Sequence, residues 1–106
     1  MRFKFDKAKS QRLRKKRGLG FEEVQELFYG PHYLDQILDD PQQLVAIGWV
    51  SGLLYSVIYE ERDDTEGLYY HLVTLWKSTK PERTKYEEEH AKRENVRRQD
   101  RRRRGT

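Results

Sequence analysis

Three histidines, His32, His71 and His90, are the side chains of this chain best suited to move a proton near neutral pH. His71 stands six residues before Lys77 in the run Leu68-Tyr69-Tyr70-His71-Leu72-Val73-Thr74-Leu75-Trp76, and Arg83 follows closely. Metal-independent cleavage of a phosphodiester needs a base for the attacking hydroxyl, cations for the pentacoordinate phosphorus and an acid for the leaving oxygen. His71 is the candidate acid/base, and Lys16, Arg17, Lys77 and Arg83 are the candidate phosphate stabilisers. Lys9, Arg12, Lys15, Lys80 and Lys85 are the candidate contacts to an RNA backbone. Strict alternation along a strand sets His71 and Lys77 on one face and Thr74 and Trp76 on the other. A straight strand separates His71 from Lys77 by ~20 Å, too far to share one phosphate, which favours Lys77 as the phosphate contact. A histidine satisfied in the core or at an edge is the plainer reading of His71. Tyr69, Tyr70 and Trp76 offer faces for stacking bases, but core aromatics need no such role. Glu82 reads as a helix cap rather than a base. His32 and His90 have no partner at metal-ligand spacing, so neither a metal site nor a cofactor is expected.

The elements that must hold these groups follow from pattern. The run Leu68–Trp76 is too continuously apolar for an exposed strand and reads as a central one, covered on both faces. Thr79 and Glu82 make a capping box, and Pro81 sits in the first helical turn, where its missing N–H costs nothing. Phe3 and Phe5 alternate with polar residues as a short edge strand. Ala8 to Arg17 is a helix with a thin apolar face, stopped by Gly18. Phe21, Val24, Leu27 and Phe28 lie at helical spacing and belong to the core. Tyr33–Leu38, Leu44–Val50 and Leu53–Glu60 are strands, the last two joined by a tight Ser51-Gly52 hairpin that opposes Gly48 to Tyr55 and Ala46 to Val57. The fold expected is α+β: a small antiparallel sheet of about four or five strands, two N-terminal helices on one face and a C-terminal helix. Beyond Tyr86 only Ala91 and Val96 are apolar, so residues 87–106 read as a charged helical extension fraying into a basic disordered tail at Arg101–Arg104. The pairs Glu88–Lys92, Glu89–Arg93 and Glu94–Arg98 support that helix weakly.

Charge is partitioned along the chain. Met1–Gly20 holds nine basic and one acidic residue, Phe21–Thr79 two basic and eleven acidic, and Lys80–Thr106 eleven basic and six acidic, giving +8, −9 and +5 and the overall +4. Basic arms on an acidic middle suit a polyanion such as RNA or DNA, through counterion release, and speak against membrane adhesion. A solvated helix surface explains Arg12, Arg14, Lys15, Lys16 and Arg17 equally simply, and solubility explains the tail. Without cysteine there is no disulfide framework, thiolate nucleophile or Cys-ligated metal, and no apolar run approaches a membrane span. A cytoplasmic setting with no membrane partner is the expectation.

Taken in order, these pieces resemble the BrnT family of bacterial toxins. The family's opening F-x-W-D-x-x-K meets Phe3-Lys4-Phe5-Asp6-Lys7-Ala8-Lys9, and its K-H-G-x-x-F-E-E-A meets Lys16-Arg17-Gly18-Leu19-Gly20-Phe21-Glu22-Glu23-Val24. Its F-x-D-P stop is similar to Phe28-Tyr29-Gly30-Pro31, and its Y-x-E-R strand end to Tyr59-Glu60-Glu61-Arg62 with one position shifted. Its closing R-I-I-S-A-R-K-A-t-x-x-E-R-x-x-Y maps onto His71 through Tyr86. The resemblance covers about residues 3–86. It implies a RelE-like fold and a ribonuclease that inhibits translation, neutralised by a small DNA-binding antitoxin of the BrnA kind. Both arginines of R-I-I-S-A-R are replaced, by His71 and Trp76, and the histidine of K-H-G is Arg17. Either the site is rebuilt around His71 and the basic arms, or the chain is a non-catalytic member that binds nucleic acid or protein.

Overall fold

The computed structural model describes the backbone of residues 1–104 and the side chains of residues 1–96. The elements are β1 (Phe3–Lys4), α1 (Lys7–Arg17), α2 (Phe21–Val24) running into a 3₁₀ turn (Gln25–Tyr29), β2 (His32–Asp39), β3 (Gln42–Val50), β4 (Leu53–Asp64), β5 (Gly67–Lys77) and α3 (Lys80–Arg104). The strands form one sheet in the order β1-β5-β4-β3-β2. The architecture is α+β, as expected. β2 to β5 are an antiparallel meander, but β1 joins β5 in parallel, so the sheet is mixed. The chain reaches β5 from β1 only after two helices and three strands, so nothing obliges β1 to run antiparallel to it.

Alternation of side chains divides the sheet into two faces. On the first face Ala46, Val50, Val57, Tyr59, Leu72 and Leu75 pack against Leu13 of α1, Phe21 and Val24 of α2, and Leu27 and Phe28 of the 3₁₀ turn. The Phe21-to-Phe28 stripe is core as its spacing implies, although its second half is 3₁₀ rather than α. Fully burying each of Phe21, Val24 and Leu27 contributes about 1.5–3 kcal/mol. On the second face Val45, Ile47 and Leu54 pack against Tyr86 of α3, with Tyr33 and Trp76 at the margin.

Local geometry follows the chemistry. Asp6 caps α1 by accepting the Lys9 N–H, and Gly18 closes it with φ +87°, a left-handed conformation that glycine adopts freely. Ser51 and Gly52 both take positive φ, the geometry of a two-residue turn between twisted strands, and Gly48 opposes Tyr55 and Ala46 opposes Val57 as the pattern demands. Thr79 and Glu82 form the capping box: the Glu82 carboxylate accepts the Thr79 N–H at 2.8 Å, and the Thr79 hydroxyl accepts the Glu82 N–H at 3.4 Å.

Two expectations are corrected. β4, not β5, is the middle strand; β1 pairs only with Tyr70 and His71, leaving the far half of β5 as an edge. The helix α3 also continues through Arg104, across the stretch where the lack of an apolar face suggested disorder. Gly105 and Thr106, the end of the expected tail, lie outside the described residues. Of the helix pairs expected, Glu89–Arg93 is seen at 4.0 Å. Among the described residues no helix is long and apolar enough to cross a membrane.

Candidate nucleic-acid interface

A β-bulge decides where the histidine points. Tyr59 pairs with Leu72 but Ile58 pairs with Thr74, so β5 carries one extra residue at Val73. The extra residue reverses the alternation. Before it, Tyr70 and Leu72 face the α1–α2 side and His71 the other. After it, Leu75 and Lys77 face the α1–α2 side, with Lys77 opposite Tyr55, while Thr74 and Trp76 join His71 on the second face. The expectation that His71 and Lys77 share a face therefore fails, because strict alternation assumed an unbroken ladder.

The four cations assigned to one phosphate are also divided. Lys16 and Arg17 end α1, which covers the first face, whereas Arg83 lies on α3, which covers the second. Lys77 sides with α1. A single pocket built from Lys16, Arg17, Lys77 and Arg83 does not form, because the two helices carrying them sandwich the sheet. Lys80 opens α3, and Lys85 pairs with Asp35 of β2 at 3.6 Å, so it anchors the helix. All of these cations are exposed.

A different group converges. α3 touches β2, β3 and, through Glu82 and Trp76, the far end of β5, and leaves open the quarter of the second face formed by the end of β4, the start of β5 and β1. There His71 lies between Lys4 of β1 and Glu60 of β4, and Tyr69 lies opposite Arg62. Lys4 Nζ sits 4.3 Å from the centre of the Tyr69 ring, and the Arg2 guanidinium 5.5 Å from it, both within cation–π range. Glu60 is the anchor. Only 7% exposed, it accepts hydrogen bonds from the Gln43 amide at 2.8 Å and from Arg62, so its charge is held beneath the surface and steers the guanidinium. The Gln43 bond first, then Arg62, hold the Glu60 carboxyl below its ordinary range. Asp64 accepts from Arg2 at 2.7 Å and Lys4 at 2.8 Å, which hold its carboxyl far below the usual value.

Burial lowers the pKa of His71, and the nearby charges of Arg62 and Lys9 lower it further, against the opposing pull of Glu60. The imidazole is thus neutral at pH 7 and able to accept a proton. α1 follows β1 after two residues, so its first turn lies at the β1 edge of the sheet. From there α1 runs over the first face carrying Lys9, Arg12, Lys15, Lys16 and Arg17, none of which forms an ion pair within 4 Å among the described residues, although Asp6 lies near Lys9 and Arg12. Arg14 differs: it binds Glu22 at 2.7 Å and Glu23 at 3.0 Å and ties α1 to α2.

Of the aromatics weighed for stacking, Tyr70 belongs to the core beside Phe28 and Tyr59, and Trp76 donates its indole N–H to Glu82 at 2.8 Å. Tyr69 alone stands on the open face. Lys4, Glu60, Arg62 and Gln43 were missed by sequence reasoning. The signal available was period two itself: Glu60 and Arg62 share a face, as do Tyr69 and His71.

The arrangement presents a neutral base, two cations and an aromatic face on a shallow open surface, with the first turn of a basic helix at its β1 edge. Such a surface can contact a phosphodiester and an unpaired base together. No protein-family model matches the chain, and no curated protein matches it.

Proposed function

We propose that this protein is a ribonuclease that takes single-stranded RNA onto the open quarter of its sheet, and that it serves as the toxin of a cytoplasmic toxin–antitoxin pair. The observation that carries the reading is the meeting of His71, Arg62, Lys4 and Tyr69 on an uncovered surface whose β1 edge leads into the first turn of the basic helix α1. In the proposed reaction neutral His71 takes the 2′-hydroxyl proton, and Arg62 and Lys4 stabilise the phosphorane. The Lys4 ammonium, whose pKa Asp64 raises, donates to the departing 5′-oxygen. Tyr69 stacks on the adjoining base. The resemblance to BrnT toxins supports the same class, with the roles of its lost arginines moved to Arg62 and Lys4. An antitoxin of the BrnA kind would act by covering this face. The second reading, a non-catalytic RNA-binding member, is favoured by one observation: Arg62 and Lys4 are each already paired with an acid.

The test is incubation of purified protein with a labelled single-stranded RNA, beside His71→Ala and Arg62→Ala. The ribonuclease reading expects cleavage ending in a 2′,3′-cyclic phosphate, lost in His71→Ala while the protein stays folded. RNA that binds but survives long incubation establishes the non-catalytic reading. RNA that does not bind refutes both.

A further inference from the structure

β2 is the last strand of the sheet, and its outer edge meets no other strand. It is eight residues long, His32–Asp39, with neither proline nor lysine to guard the edge; a bulge near Ile37 is its one irregularity. Leu34, Ile37 and Leu38, each about half exposed, lie along it. A long unpaired edge that exposes Leu34, Ile37 and Leu38 between Asp35 and Asp39 is a template for another strand.

The path of α3 says which strand. Glu82 meets Trp76 of β5, Tyr86 meets Trp49 of β3, and Lys85 meets Asp35 of β2, so the helix crosses the second face toward the β2 edge. Glu89, His90 and Arg93 border Pro31, His32 and Tyr33 at the start of β2. From there the helical backbone runs on to Arg104, about 16 Å further. Positions 91–104 hold eight basic and two acidic residues. At the other end of β2 the sheet is acidic: the β2–β3 and β4–β5 turns bring Asp39, Asp40, Asp63, Asp64 and Glu66 to one end.

We propose that two copies of the chain join edge to edge through antiparallel β2 strands, making one continuous sheet about a two-fold axis. With the bulge at Ile37 left unpaired, an axis on Asp35 opposes Leu34 to Gln36, Tyr33 to Leu38 and His32 to Asp39, each pair on one face; the two Asp35 carboxylates that meet there are each paired with Lys85 of their own helix at 3.6 Å. Because His32 of one copy then adjoins Asp39 of the other, the basic end of each α3 leaves its own sheet over the acidic turns of its partner. Length, apolarity and charge all fit a second copy.

The experiment is sedimentation equilibrium of the full-length protein, alone and as Leu34→Lys/Ile37→Lys, with Leu68→Lys as the control at an exposed leucine on a different strand. A dimer is expected whose dissociation constant rises with salt and rises at least about tenfold in the double variant, with no change in the control. Hydrogen exchange of β2 amides in the unaltered protein, slowing as concentration rises, decides the matter if the double variant fails to fold. A monomer at all concentrations, or a dimer indifferent to Leu34→Lys/Ile37→Lys, overturns the proposal, as does β2 exchange that ignores concentration.

Discussion

Neutralising α1, which a strand of RNA leaving the His71 patch would meet round the β1 edge of the sheet, separates a cationic RNA surface from a merely solvated one. The variant replaces Lys9, Arg12, Lys15, Lys16 and Arg17 by glutamine and keeps Arg14. None of the five forms an ion pair among the described residues, whereas Arg14 holds α1 to α2 through Glu22 and Glu23. The packing contacts of α1, Ser10 and Leu13, are untouched, so the fold survives. For single strands each neutralised phosphate contributes about 0.7 to the slope of log K against log salt, so five contacts contribute about 3.5. The assay is fluorescence anisotropy of an unstructured RNA oligomer over a salt series, with circular dichroism melts as the fold control. The account predicts a slope shallower by about 2–3.5, the range allowing for contacts made only in part. A variant with an unchanged slope and a native melt refutes the assignment of α1 to the interface.

Three further outcomes follow from the same geometry. Gly48→Ala loses about 1–3 kcal/mol in urea unfolding, because the new Cβ would come 2.8 Å from Leu27 Cγ and 3.1 Å from His32 Cβ inside the core. Phe28→Ala, which removes a ring packed on Phe3, Tyr59 and Tyr70, loses about 3–5 kcal/mol by the same measure. Thermal stability falls with acid in two steps. His71 has a lowered folded pKa, so the unfolded chain takes its proton first and stability begins to drop below about pH 6.5. Asp6, Glu22, Glu23, Glu60, Asp64 and Glu82 are likewise lowered in the fold, so their larger contribution is present above about pH 4 and is lost as pH falls through their folded values. A melting temperature level from pH 7 to pH 3 contradicts these shifts.

Much of the fold could be read from the chain because single residues announce it. Gly18 stops α1, Ser51-Gly52 sets the hairpin register, and Thr79 with Glu82 starts α3. These are local signals, written within three or four residues. The site was less legible. His71 was visible as a titratable group, and Lys9 as a cation, but their neighbourhood depends on pairings across the chain: Lys4 comes from β1, and Glu60 and Arg62 from β4. The bulge at Val73 leaves no mark in composition, yet it puts Lys77 on the face away from His71. The side of the sheet taken by α3 is similarly set by distant contacts, of Tyr86 with Trp49 and of Lys85 with Asp35. That choice separates Arg83 from Lys16 and Arg17.

The central claim is that RNA lies against His71 on the open part of the sheet. It is tested most directly by following the three histidine ring signals by NMR across a pH titration, with and without a single-stranded RNA oligomer. The account predicts that His71 titrates below the ordinary histidine value in the free protein and that bound phosphate raises its pKa. RNA that binds yet leaves the His71 titration unchanged contradicts it.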